Sequence, residues 1–190
     1  MHVNIALIVK FMANYFFAPA EYDEVPQQNQ AANDDFLFDQ GPTKGLGKIR
    51  FHDYKIAYSS RDTPNLAVFR EQIEAFKGML FAAPPDQHQA KDIDFLLAGG
   101  EIFALIVYGQ LILENAKIYD VSDELIDQIF DFMVRDFSRH ALNLYSKPSS
   151  SETQMAACQK MIRKPVLDED RYASVWQEVY DLKNEYEMNP

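Results

Sequence analysis

The chain has 190 residues, of which 47 % are hydrophobic and 13 % aromatic, and it carries a formal charge of −11. That apolar content supports a sizeable core in one domain and argues against a disordered chain. The acidic balance argues against nucleic-acid binding and against docking on an anionic membrane surface, because both need a basic face to meet phosphates.

The first predicted element is a helix over Val3–Phe17, apolar on nearly all sides, which needs covering on most of its faces. Ala18-Pro-Ala20 behind it loosely imitates a leader cleavage site. No basic segment precedes the run, and Asn4, Lys10 and Asn14 interrupt it, so a helix of the folded protein is the preferred reading. Pro19 and the polar residues Glu21 to Asp35 end it as a solvated loop. Residues 36–58 follow as an ordered Gly-rich loop, since three glycines and a proline between Gly41 and Gly47 forbid a regular helix there. Within it, Ile49 to Tyr58 alternates weakly, which fits a short extended piece.

Thr63-Pro64 opens the next helix, with threonine as cap and proline at its first position. Leu66, Phe69, Ile73, Phe76 and Leu80 share one face, and Pro84-Pro85 stops it. A third helix is predicted from Gln87 to Tyr119. It contains the very apolar run Phe95 to Leu113, which reads as a core helix and not as a membrane span because Gly99-Gly100, Glu101 and Gln110 lie inside it. The two glycines cost about 1 kcal/mol each relative to alanine and suggest close approach of a neighbouring helix, or a bend. Ser122 caps a fourth helix, with Asp123 and Glu124 in its first turn and Ile126, Ile129, Phe130, Met133, Phe137, Ala141 and Leu144 as its stripe. Lys147-Pro148 ends it. Ser151-x-x-Gln154 is a capping box opening a short helix that stops before Pro165. The last helix runs from Asp168 to Tyr186, with Tyr172, Val175, Trp176, Val179 and Leu182 expected to face inward. The fold class is therefore all-α, an antiparallel bundle of about five to six helices in a single domain, 1–190. Residues 1–17 form the apolar helix, expected to pack on a partner, 18–62 a long ordered loop and 63–187 the bundle.

Catalytic machinery is not legible. Gly41-Pro-Thr-Lys-Gly-Leu-Gly-Lys48 resembles a phosphate loop only superficially: five residues precede its Gly-Lys pair, and Ile49 stands where serine or threonine is needed. His2, His52, His88 and His140 have no second histidine at ligand spacing, so no metal site is expected. His52-Asp53 are adjacent and point apart in most backbones, whereas Asp136 and His140 are spaced to pair on a helix surface. Glu101 is the most notable carboxylate. Burial would raise its pKa and fit it for acid–base work, but the preferred reading is that it reaches the helix edge or pairs with Arg135 or Arg139. Ser149-Ser150-Ser151 reads as linker and cap. The single cysteine, Cys158, reads as a buried structural thiol and suits a cytoplasmic protein. No catalytic residue is assigned, and cofactor-binding residues are not identifiable.

Four stretches carry a resemblance. They are Met1–Tyr15, Phe36–Tyr54, Val134–Arg139 and Met161–Pro165. Together they resemble the C-terminal helical region of long bacterial acyl-CoA dehydrogenase-like flavoproteins. In that family FAD oxidises acyl-CoA thioesters while a glutamate removes the α-proton. The resemblance places that glutamate and most of the flavin site upstream of Met1, so no catalytic residue transfers and FAD is implied only for the complete enzyme. It implies an accessory helical domain or subunit whose partner is the catalytic core or another copy in an oligomer. Two alternatives stay open: a helical protein–protein interaction module unrelated to flavoenzymes, and a bundle that binds an acyl chain or small ligand near Glu101.

Overall fold

A computed structural model of the chain describes residues 8–19 and 51–185. The described residues form seven α-helices and no strand: α1 (Met12–Phe17), α2 (Tyr54–Tyr58), α3 (Pro64–Ala82), α4 (Ile93–Ile118), α5 (Asp123–Tyr145), α6 (Glu152–Met161) and α7 (Glu169–Asp181). The fold is an all-α helical bundle. The Gly41–Gly47 segment and residues 3–7 of the expected first helix lie outside the described residues.

Helix limits follow local chemistry. Thr63 and Pro64 open α3, but the Thr63 hydroxyl makes no cap bond; the free N–H of Asn65 is met instead by Asp127 Oδ1 from α5, at 2.7 Å. Ser122 accepts from the Leu125 N–H, and Ser151 with Gln154 forms the reciprocal capping box of α6. The helix expected from Gln87 starts later, at Ile93. Asp92 takes the cap position and accepts from the N–H groups of Asp94 and Phe95, with a 3-10 turn at Gln89–Lys91 before it. Hydrogen bonds from the Ser149 hydroxyl and from the N–H groups of Phe95 and Asp94 hold the Asp92 carboxyl below the usual carboxylate range. At its far end α4 stops with Asp120 at φ 50 and the Val121 N–H returning to Ala116 O at 3.0 Å. The expected extended piece at Ile49 to Tyr58 is overturned over its described part. Asp53 accepts from the Lys55 N–H and starts a one-turn helix through Tyr58, where weak alternation loses to a cap and a buried aromatic side.

Contacts along the helices fix their directions. Lys147 Nζ, beyond the end of α5, donates to Asp94 Oδ1 at the start of α4 at 2.9 Å, so these two run antiparallel. Asn65 meets Asp127 while Gln72 Nε2 donates to Val134 O at 3.2 Å, so α3 and α5 run parallel. Gln72 Nε2 also donates to Met161 O at 2.7 Å and Gln154 Nε2 to Ala83 O at 3.1 Å, which sets α6 antiparallel to α3. The result is an up-down-up-down bundle of α3 to α6, with α5 touching α3, α4, α6 and α7.

The core is aromatic. Phe69, Phe76, Phe130 and Phe137 are fully buried, with Phe69 edge-on to Phe130 at 5.2 Å and to Phe137 at 5.4 Å between ring centroids. Helix α1 joins the same core. Met12, Tyr15 and Phe16 are buried, Tyr15 stacks on Tyr54 at 5.2 Å, and its hydroxyl donates to Gln110 Oε1 at 2.6 Å. Over its described residues the first helix packs Met12, Tyr15 and Phe16 into the chain's own core and leaves Phe17 exposed. Close approach on α4 occurs at Gly109 rather than at Gly99. A Cβ on Gly109 would stand 2.5 Å from the Tyr58 hydroxyl, whereas one on Gly99 would have nothing within 4 Å.

Candidate functional site

Glu101 lies at the edge of α4 and meets α5. Its partner is His140, with Nδ1 to Oε2 at 3.1 Å, and Asn143 Nδ2 donates to the same oxygen at 3.4 Å. The expected arginine partners are engaged elsewhere: Arg135 with Asp131 at 2.6 Å and Arg139 with Asp136 at 3.3 Å. The expected Asp136–His140 pair gives way to these two, because Asp136 is reached by an arginine one turn along and His140 points across to α4. A carboxylate against one imidazole and one amide joins two helices.

The neighbouring cavity is small. Met12, Phe76, Met79, Phe95, Gly99 and Leu144 help to line an apolar space of about 20 Å³, room for one water at most. An acyl chain does not fit there. The remaining candidates have structural duties. Cys158 is fully buried in α6, where burial pushes its thiol up to about 11, leaving it protonated and unreactive near neutral pH. The Ser150 hydroxyl donates to Leu144 O, and the His88 N–H donates to Asp86 Oδ1. Among the described residues no group of three or more His, Cys, Asp or Glu side chains is placed to hold a metal ion. His2 and the Gly41–Gly47 loop lie outside the described residues.

The features that stand out are at α7. Arg171, on its inner side, is buried and donates to Asp127 Oδ2 and, at 3.3 Å, to Asp131 Oδ2; both aspartates are buried as well. Asn65 completes the cluster, donating to Asp127 Oδ2 at 3.0 Å and accepting from the Val166 N–H at 2.7 Å. The cluster ties the linker before α7, and α7 itself, to α3 and α5. It was not picked out from the sequence, although Asp127 and Asp131 flank the apolar stripe of α5 and two carboxylates so placed require a cation.

Beyond Arg171 and Val175, α7 is barely seated. Tyr172, Trp176, Val179 and Tyr180 are 45–62 % exposed, and Leu182 is exposed beside them. Of the residues expected to face inward, only Val175 does so. Trp176 and Tyr180 stack on each other at 5.0 Å, 10° from parallel. The face continues into an open groove of about 510 Å³ between α5 and the start of α7, where Phe132, Leu167 and Tyr172 form the apolar walls and Asp131, Arg135 and Arg171 the polar floor. Arg135 lies over the Phe132 ring at 4.6 Å. An exposed cluster of tryptophan, tyrosine and leucine side chains on a helix pinned by a buried ion pair is suited to holding another macromolecular surface.

No protein-family model, curated protein or solved structure matches this chain.

Proposed function

We propose that this chain is an accessory C-terminal helical domain, or a separate subunit, of an acyl-CoA dehydrogenase-like flavoprotein, and that it works by packing against the catalytic core. The observation that carries the packing role is the aromatic face of α7, which leaves its only tryptophan and two tyrosines in solvent. Tryptophan and tyrosine are enriched among the residues that carry binding energy at interfaces. The identity of the partner rests on the four stretches that resemble that family. Two of them meet in the fold: the Ser138 hydroxyl, in Val134–Arg139, donates to Arg163 O at 2.8 Å and accepts from the Arg163 N–H at 2.9 Å, in Met161–Pro165.

In this reading FAD and the glutamate base belong to the core, and the present chain covers the core or shapes the acyl entrance. The test is gel filtration, followed at the flavin absorbance, of the chain mixed with FAD alone and with an FAD-loaded acyl-CoA dehydrogenase-like core from the same organism. The expected result is that the chain alone elutes colourless and co-elutes with the yellow core. A chain that retains FAD by itself would contradict the accessory role. Failure to co-elute would remove the flavoprotein partner and leave a helical interaction module of another kind.

A further inference from the structure

Helix α4 is apolar on every side, unlike α5 and α7, whose apolar residues gather on one side. It is long and apolar enough to cross a membrane by length and composition, yet less than half of its most apolar stretch is buried in the chain. A helix of this kind is normally covered all round. Its inner side, including Phe95, Ala98, Ile102, Ile106, Gly109 and Leu113, faces the core. Its outer side carries Ile93, Tyr108, Leu111, Ile118 and Tyr119 at 42–74 % exposed. From Phe95 to Leu113 the one charged residue is Glu101, which sits at the edge of this side and is held by His140 and Asn143.

We propose that the outer face of α4 joins two copies of this chain in an antiparallel, two-fold dimer. This goes beyond the packing role assigned to α7 and does not depend on it. Charge selects the occupant. Two chains of −11 each repel over most of their surface, and a neutral stripe is where they can approach without bringing acid against acid. From Phe95 to Leu113 the face offers a basic partner no carboxylate but Glu101, which His140 and Asn143 already hold. The area is adequate: two tyrosines and three aliphatic side chains at these exposures present on the order of 600 Å² per copy, which reaches the lower bound of about 1,200 Å² for a specific interface. The stripe is about 39 Å long, from 26 residues at the helical rise. Antiparallel crossing sets the start of each α4 beside the end of the other, which suits the helix dipoles and keeps Glu114 and Asp120 away from their own copies.

The test is mass in solution, by light scattering and sedimentation over a concentration series, on the full chain. The expected mass approaches twice 21.9 kDa. Leu111→Glu and Tyr108→Glu should weaken association at least ten-fold while keeping the helical circular dichroism of the parent and, at dilutions where the parent is itself a single chain, its unfolding midpoint. Trp176→Glu should leave the dimer intact, which separates this face from that of α7. As a second readout, Ala104→Cys, near the middle of the stripe, should cross-link to its own copy under mild oxidation, and Ile118→Cys, at its end, should not. A single-chain mass at every concentration would overturn the dimer, as would a dimer indifferent to both charged substitutions. Flotation with neutral phosphatidylcholine vesicles that Leu111→Glu abolishes would also overturn it, by assigning the face to lipid.

Discussion

Gly99 and Gly109 stand on the same helix with opposite surroundings. At Gly99 an added Cβ meets nothing and borders the small apolar space beneath Phe76 and Leu144. Gly99→Ala should therefore raise stability by about 1 kcal/mol through helix propensity. At Gly109 the added carbon would displace the Tyr58 hydroxyl, which donates to Ile106 O at 2.6 Å, and would crowd Met133. Gly109→Ala should cost about 1–3 kcal/mol despite the same gain in propensity. Urea denaturation of the two variants checks both signs. Cys158 makes a second prediction. Its thiol ionises near 9 when unfolded and at about 11 when folded. Above pH 9 the unfolded state releases a proton that the folded state keeps. Stability present below pH 9 is therefore lost as pH rises to 11, by on the order of 2 kcal/mol. Burial likewise raises the phenols of Tyr15, Tyr54 and Tyr58, which adds a loss of the same sign at higher pH. Unfolding midpoints measured from pH 8 upward should fall, and Cys158→Ala should make the first part of that fall shallower.

Among the elements, α7 depends most on a single residue. Removing the Arg171 guanidinium would strand two buried carboxylates, at a cost of about 3–5 kcal/mol. Arg171→Met should lower the urea midpoint and open the 162–168 linker to trypsin at Arg163, while adding Asp127→Asn and Asp131→Asn should recover part of the loss. An unchanged midpoint and digestion pattern would show that α7 is held by other contacts. Elements with local punctuation were legible in the sequence: Thr63-Pro64, Ser122 and the Ser151–Gln154 box sit where α3, α5 and α6 begin. The stripes of α3 and α5 also matched the buried sides. Helix α2 escaped notice because one turn has too few residues for a period, and its start depends on Asp53 alone. The α7 stripe was recognised but turned the wrong way, since periodicity reveals an apolar side and says nothing about whether this chain covers it. Glu101 found His140 and not Arg135 or Arg139, because those arginines are held by Asp131 and Asp136 on their own helix.

At the scale of the whole molecule, Asp53 caps α2, Glu101 and His140 join α4 to α5, and Cys158 sits protonated in the core. What the bundle leaves over is surface: a neutral stripe along α4 and an aromatic face on α7. The two faces make separable predictions, one for self-association and one for a larger partner. Because the chain has one tryptophan and it stands on the α7 face, docking there has a built-in reporter. The most direct measurement is Trp176 fluorescence during titration with a tryptophan-free or tryptophan-analogue-labelled acyl-CoA dehydrogenase-like core. The account predicts a saturable blue shift as the indole leaves water, lost when Tyr172 and Tyr180 are replaced by alanine without change in the unfolding midpoint. An emission maximum that stays at its solvent-exposed position while the core is bound or absent would contradict docking through α7.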